Sequence, residues 1–305
     1  MNFYFPLRLI PDKTKIDFMG IRYINMAISV LLLLISIALI STKGLNFGID
    51  FKGGTIIEAK LENSIELTPL YKSLEELKLG EIYIQNIDKN NLMIKLGNNG
   101  TANDQMENIT ILKNALNTYF NNKIEYKKID FVGPQVGEAL IKDGLLAIIF
   151  SFAGIMFYIA FRFEWQYGLG IIIALIHDAV FTLGFMSITQ LEFNLTSVAA
   201  VLTVIGYSVN DSVVIYDRIR ENILKYKRLS VDEIINLSIN ETLSRTILTV
   251  TTTLISTAAL IFFGGESLYS FSVTVFVGIL VGTYSSIYIS APILIHLGIK
   301  KYLRN

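Results

Sequence analysis

Ionisable side chains within long apolar segments are the residues of this sequence best suited to chemistry. Asp211 stands beside Asn210 in residues 205–212, a stretch that also holds a glycine and two serines. A charged residue at mid-bilayer costs about 2.5–3.5 kcal/mol on insertion scales, so such a position needs a reason. Burial favours a neutral carboxyl and a nearby cation favours a carboxylate, which suits Asp211 to loading and releasing a proton. A polar cluster that only holds helices together is the alternative.

Arg245 precedes the fifth apolar segment and allows two interpretations. It fits a cytoplasmic anchor whose aliphatic stem lies along apolar surface. Because consecutive spans often pack as neighbours, it also fits a counter-charge for Asp211. Beyond it, hydroxyl residues recur on one helix face at spacings suited to holding water: Thr249, Thr252, Thr253 and Ser256.

His177 and Asp178 lie midway along the third apolar segment. Adjacent helical residues point about 100° apart, so the two side chains need not act together. Hydrogen bonding between helices and a place in a proton path are both open interpretations.

The elements that must position these residues are membrane-spanning helices. Hydrophobic residues make up 52% of the 305 residues, and the mean hydropathy is +0.51. A span needs about 20 mostly apolar residues, and six segments qualify: 24–40, 145–161, 168–188, 195–216, 247–263 and 268–295. Pro292 predicts a tilt or kink near the end of the last one. The first segment is long for a signal peptide and lacks a convincing cleavage site, so we interpret it as an uncleaved anchor.

Basic residues alternate along the predicted connections, which sets the orientation. They occur at both termini and in the second-to-third and fourth-to-fifth connections. The third-to-fourth and fifth-to-sixth connections have none. The basic residues at the termini are Arg8, Lys13, Lys15, Arg22, Lys300, Lys301 and Arg304. This predicts cytoplasmic termini and an external segment between the first two spans. We divide the chain into 1–41 with the first span, an external domain at 42–137, and 138–305 with the other spans.

The external segment alternates strand and helix patterns. Strands are predicted at 55–61, 82–87, 92–96 and 124–132, with helices before Gly80 and over 103–120. The order β-α-β-β-α-β predicts an α+β ferredoxin-like domain. Lys89 lies in the turn of its hairpin.

Glycine-rich segments border this domain on both sides. We interpret residues 48–54 and 132–137 either as tight turns or as hinges for rigid-body motion. The residues concerned are Gly48, Asp50, Gly53, Gly54, Gly133, Pro134 and Gly137.

Two further helical features are predicted. Thr274, Gly278, Gly282, Ser286 and Ser290 place small residues every four positions in the sixth span, which indicates a close packing face within this chain or against a partner. Ser230 and Glu233 match a capping box, opening what we predict to be an interfacial helix before the fifth span.

Several function classes are excluded or disfavoured by composition. Without cysteine there is no disulfide or thiolate metal site, and His177 and His296 are too far apart to suggest a histidine-rich one. The formal net charge of zero gives no basic field for nucleic acid. No nucleophile–base pair is recognisable in the external domain, and we predict no enzyme activity, metal or cofactor.

Four segments carry a resemblance to a known family. They are GIDFKGGT at 48–55, VGPQVG at 132–137, IGYSVNDSVVIYDRIREN at 205–222 and TLSRTILTVTTTL at 242–254. Together they resemble the SecD/SecF family of bacterial protein-export membrane proteins, within the resistance-nodulation-division superfamily. Ser212 stands where a threonine is expected, which keeps the hydroxyl.

The resemblance implies a function and partners. Such a chain pairs with SecD and assists the SecYEG channel and the SecA motor in late preprotein export, using the proton-motive force; YajC and membrane lipid are further candidate partners. It also implies Asp211 and Arg245 as the intramembrane acid and its basic partner.

Three other functions compete with this one. A stand-alone proton-coupled transporter of a small molecule or lipid would use the same acid, although six spans are few for a repeat-type transporter. An intramembrane aspartyl protease would need a second catalytic acid, which no Gly-x-Gly-Asp segment supplies. A structural scaffold would leave Asp211 with packing alone.

Overall fold

The computed structural model describes residues 14–62, 67–80, 82–87, 90–97 and 102–299. Lys89 in the predicted hairpin turn, and Arg8, Lys13, Lys300, Lys301 and Arg304 near the termini, lie outside the described residues. In chain order the elements are α1 (Arg22–Thr42), β1 (Asn46–Phe47), α2 (Ile49–Lys52), β2 (Gly54–Leu61), α3 (Leu67–Glu75), β3 (Ile82–Asn86), β4 (Asn91–Gly97), α4 (Ala102–Tyr119), β5 (Ile124–Val132), α5 (Pro134–Arg162), α6 (Trp165–Thr189), β6 (Glu192–Phe193), α7 (Leu195–Lys225), α8 (Val231–Phe263), α9 (Glu266–Ser285) and α10 (Ala291–His296).

In the part of the chain that the structure describes, six stretches of helix are long and apolar enough to cross a membrane, which confirms the predicted number of spans. They fall in α1, α5, α6, α7 and α8, and in α9 continued by α10. A π-helical turn, Ser286–Ser290, joins α9 to α10 just before Pro292. Since proline cannot donate a backbone hydrogen bond, this local irregularity lies where the sequence predicted a kink.

The prediction of a separate interfacial helix before the fifth span is wrong. Ser230 and Glu233 do form the capping box, with the Ser230 amide donating to Glu233 Oε2 at 2.7 Å. The helix they open, however, is α8 itself, which continues without a break to Phe263. Ile234 and Ile235 are fully buried in the core of the helical bundle rather than facing lipid headgroups.

The described chain divides into two compact units. Phe47–Ala147 and Glu192–Leu195 form one, which we call the α/β unit; the helical bundle forms the other. The α/β unit contains a four-stranded sheet of order β3-β4-β2-β5, in which every pairing is antiparallel. This order is that of a ferredoxin-like βαββαβ domain, as predicted. β1 and β6 pair in a separate two-stranded sheet.

One face of the four-stranded sheet is covered by α3 and α4. Ile57 lies opposite Ile94 on β4 and Ile129 on β5. With Leu70 from α3 and Leu112 from α4, it builds an apolar core in which Ile57, Ile94, Leu70 and Leu112 are fully buried. The alternation of apolar residues along β2 and β4 therefore decides which face of the sheet is covered.

Candidate proton-coupling site in the helical bundle

One face of α7 carries the central acid. Ser208, Asp211 and Ser212 are spaced three and four residues apart, so they share the face that turns into the bundle. All three are buried, and Asp211 is 3% exposed. Asn210, predicted to belong to the same site, points away from it and is exposed in the single chain. A helix of mixed apolar and small polar residues thus holds one carboxylate inside the membrane-spanning bundle.

The Asp211 carboxylate is only partly satisfied. Its Oδ2 atom has no hydrogen-bond partner among the described residues, and the same holds for the Ser212 hydroxyl. The Thr283 hydroxyl on α9 lies near the carboxylate; its single hydrogen is donated to the backbone oxygen of Ile279 at 2.8 Å and can instead be donated to the carboxylate. A buried acid with an unused oxygen can accept a proton without first breaking a bond at that atom.

Arg245 acts on Asp211 electrostatically. In the described part of the chain the two side chains form neither a hydrogen bond nor a contact ion pair, and Arg245 is exposed in the single chain. The predicted counter-charge is therefore within electrostatic reach of the acid without being locked to it. Such a pair can change its separation when the acid changes charge.

A second buried acid lies on α6. Asp178 is completely buried, and its Oδ2 atom accepts hydrogen bonds from Ser208 at 2.6 Å and Ser285 at 2.7 Å. His177 Nδ1 lies 3.1 Å from Asp178 Oδ1, while His177 Nε2 has no partner among the described residues. Asp178 therefore joins α6 to α7 and α9, and its rotamer brings it to the neighbouring histidine despite the angle between adjacent residues.

Ser208 links the acid on α6 to the face of α7 that carries Asp211. It bonds Asp178 and lies one turn before Asp211. Sequence reasoning missed Thr283 and Ser285, because it followed the small residues spaced every four positions in the sixth span and these two hydroxyls lie off that row. A group of hydroxyl residues at 283, 285 and 286 in an otherwise apolar span was the signal that could have found them.

The small residues of the sixth span pack within this chain. A Cβ atom added at Gly282 would lie 3.1 Å from the Cβ of Ser208, and one at Gly278 would lie 2.8 Å from Val204 Cγ1. Close approach of α9 to α7 is what positions Thr283 and Ser285 toward the two acids. The prediction of a close packing face is confirmed, and the contact is with α7.

The hydroxyl stripe on α8 is satisfied by its own helix. Thr249 donates to Arg245, Thr253 to Thr249 and Ser256 to Thr252, each to a backbone oxygen within 3.2 Å. Hydroxyls that bond the preceding turn need no other partner. A water-holding role for this stripe stays a prediction.

The predicted hinge residues lie in the α/β unit. Gly53 and Gly54 have φ values of 73° and 133°, which favour glycine. Gly48 and Asp50 lie at the start of α2, Gly133 precedes α5, Pro134 is its first residue, and Gly137 lies in its first turn. Their role as hinges stays a prediction. Among the described residues, no group of three or more His, Cys, Asp or Glu side chains could hold a metal ion.

Comparison with known proteins places the chain in a family. Residues 111–300 match the model "Protein export membrane protein SecD/SecF, C-terminal", and residues 38–65 match the SecD/SecF GG motif. The protein translocase subunit SecF of Rickettsia bellii (strain OSU 85-389) is 55% identical over 299 residues, covering 98% of both chains. That of Rickettsia rickettsii (strain Sheila Smith) is 56% identical over 291 residues, covering 95% of this chain and 94% of the relative.

A solved structure shows the same fold. The crystal structure of SecDF, a translocon-associated membrane protein from Thermus thermophilus, superposes with a TM-score of 0.82 at 35% identity. The match covers 95% of this chain and 40% of that one. The chain is a multi-pass membrane protein that belongs to the SecD/SecF family of protein-export membrane proteins.

Proposed function

We propose that this protein is an accessory subunit of the Sec preprotein translocase that uses the proton-motive force to promote late-stage protein export. The observation that carries the proposal is Asp211, a buried acid with one oxygen that lacks a hydrogen-bond partner among the described residues and with a basic residue beyond contact distance. Membership of the SecD/SecF family supports it and disfavours a stand-alone transporter. No enzymatic step is needed, because the energy source is the proton gradient.

The energies involved are adequate for coupling. One charge crossing a potential of 100 mV yields about 2.3 kcal/mol. Coupling between two sites typically amounts to about 1–3 kcal/mol. Protonation of Asp211 removes a buried charge and its attraction to Arg245, which biases the bundle toward a second arrangement. His177 and Asp178 are candidates for the same path, because Ser208 links Asp178 to the face of α7 that carries Asp211.

A partner protein is expected beside Asn210 on α7 and Arg245 on α8. Asn210 and Arg245 are exposed in the single chain although they lie on membrane-spanning helices. Polar groups that face lipid are costly, so a second membrane protein is the expected neighbour. The match to 40% of a SecDF chain supports SecD as that neighbour. SecYEG, SecA, YajC and the preprotein are further proposed partners.

The orientation follows from the basic residues. We place both termini in the cytoplasm and the domain of residues 42–137 in the periplasm, on the outer side of the bacterial inner membrane. Arg162 and Asp217 form an ion pair at 2.9 Å, which puts the end of α5 and the last part of α7 at the same end of the bundle. The excess of basic residues at that end marks it as cytoplasmic.

The first test replaces Asp211 with asparagine. We expect the gradient-dependent part of preprotein export to fall at least about tenfold, since an amide cannot take up a proton, while export driven by ATP alone is unchanged. Export is measured in membrane vesicles with and without a proton gradient, at matched protein levels. Asp217→Asn is the matched control, because it makes the same change on the same helix at a half-exposed surface pair. Full gradient-dependent export by Asp211→Asn contradicts the proposal.

A further inference from the structure

The turn between α6 and α7 belongs structurally to the α/β unit. Glu192–Leu195 connects two membrane-spanning helices in the sequence, yet these residues pack as part of the unit formed by Phe47–Ala147. Leu195 is the first residue of α7, the helix that carries Asp211. The start of that helix is therefore held by the α/β unit, whereas the rest of it lies in the bundle.

Asp50 caps α7 from a distant part of the chain. Its Oδ2 atom accepts a hydrogen bond from the backbone amide of Leu195 at 2.9 Å. The first amides of a helix lack partners within the helix, and a carboxylate there also interacts favourably with the helix dipole. Asp50 thus does for α7 what a local capping residue ordinarily does.

Aromatic packing and a backbone bond support this cap. Phe51 stacks on Phe193 with ring centroids 5.6 Å apart, and Phe47 contacts Phe193 edge-on at 5.8 Å. The Gly48 amide donates to the Phe193 backbone oxygen at 2.9 Å. Lys95 on β4 forms an ion pair with Glu192. Contacts of three kinds therefore hold the α6–α7 turn against the segment that precedes β2 and against β4.

Two glycines lie at the points of closest approach. A Cβ atom at Gly48 would lie 2.5 Å from Glu192 Oε1 and 3.2 Å from the Cβ of Asn194. One at Gly137 would lie 3.0 Å from the backbone oxygen of Phe51. Neither glycine is among those with a positive φ value, so neither has a left-handed backbone. Space, rather than backbone freedom, explains why glycine stands at 48 and 137, which differs from the hinge interpretation of these residues.

We propose that Asp50 is a positioning residue that couples α7 mechanically to the α/β unit, through a clamp formed by Gly48, Asp50, Phe51, Phe193 and Leu195. The proposal rests on the proposed function, since it concerns how a charge change at Asp211 reaches the external domain. Sixteen residues separate Leu195 from Asp211, or about 24 Å of continuous helix. A shift of α7 at Asp211 therefore displaces the clamped first turn, and the clamp passes that displacement to β2.

The test is a double-mutant cycle read by hydrogen exchange. The full chain, co-purified with its SecD partner in lipid nanodiscs, is compared as wild type, Asp211→Asn, Asp50→Ala and the double variant. Asp211→Asn serves as a permanently uncharged acid. We expect it to change amide exchange in residues 47–61 at least about twofold, and to cause no change there when Asp50→Ala is present. Asp50→Ala alone is expected to speed exchange at the start of α7 about fivefold, the effect of losing a cap.

Controls separate coupling from loss of folding. Glu62→Ala removes an exposed carboxylate of the same domain, paired with Lys123 at 2.9 Å, and is expected to leave the effect of Asp211→Asn intact. Phe193→Ala breaks the clamp from its other side and is expected to act like Asp50→Ala. Retained slow exchange in β4 shows that the domain remains folded in each variant.

The outcomes are distinct. If Asp211→Asn changes exchange in residues 47–61 equally with and without Asp50, the cap is merely structural and the clamp proposal is overturned, while proton coupling stands. If Asp211→Asn changes nothing there in the wild-type background, the clamp proposal is overturned as well. Failure of the proposed function is recognised by a different measurement. Full gradient-dependent export by the Asp211→Asn variant would contradict proton coupling at Asp211.

Discussion

Asp178→Ala is expected to destabilise the helical bundle by about 2 kcal/mol. The change removes the acceptor for Ser208 and Ser285 and the partner of His177, all in the interior of the bundle. Hydrogen bonds between membrane helices average about 0.6 kcal/mol each, and the unfilled space left by the side chain adds a further term. Ser285 retains a second acceptor, the Gly282 oxygen at 3.0 Å, which limits the loss.

Asp178→Asn distinguishes a role of Asp178 in helix packing from a role in proton transfer. An amide oxygen still accepts a hydroxyl hydrogen bond, so we expect less than half of the destabilisation seen with alanine. Stability is measured on the purified chain by thermal or detergent-induced unfolding, beside gradient-dependent export at matched levels. Equal destabilisation by both substitutions would contradict the packing role. Normal stability of Asp178→Asn with loss of gradient-dependent export would place Asp178 in the proton path.

The spans and the domain fold were predictable because they depend on local patterns. Apolar length defines a membrane helix, and the alternating patterns of residues 82–87 and 92–96 indicate strands with one covered face. The order βαββαβ then leaves few possible sheets. Each of these inferences uses neighbours in the sequence only.

The start of α8 was mispredicted because its partners are remote. Asn236 and Asn240 accept hydrogen bonds from the backbone amides of Phe18 and Ile16, each at 2.8 Å. These contacts span more than 200 residues and turn an amphipathic segment into a buried one. An amphipathic pattern alone cannot tell whether protein or lipid headgroups cover its apolar face.

The candidate site was predictable in its acids but not in its geometry. Asp178 and Asp211 could be identified from residue type and position, because placing a charged side chain inside the bilayer costs free energy. Which hydroxyls they meet depends on how closely α9 approaches α7, and that depends on the small residues at 278 and 282 meeting Val204 and Ser208. The cap that Asp50 places on α7 was invisible for the same reason, since 145 residues separate Asp50 from Leu195.

Gly184→Val is expected to prevent normal packing of α1 against α6. A Cβ atom at Gly184 would lie 2.5 Å from Ser36 Oγ and 2.7 Å from Ser36 Cα, so backbone stands in its way. Ser36 is itself buried, and small residues on both helices allow their close approach. Because a backbone atom cannot rotate aside, the helices must separate, and overpacking of this kind costs about 1–3 kcal/mol or more.

Gly154→Val is the matched control for this substitution. Gly154 also lies in a membrane-spanning helix, α5, but a Cβ atom there would meet no described residue of the single chain within 4 Å. Both substitutions replace glycine by the same β-branched residue, so their effects on helix propensity are equal and only the packing differs. We expect Gly184→Val to lower the unfolding temperature and the yield of folded protein, and Gly154→Val to change neither. Equal effects of the two would show that α1 and α6 do not depend on this contact.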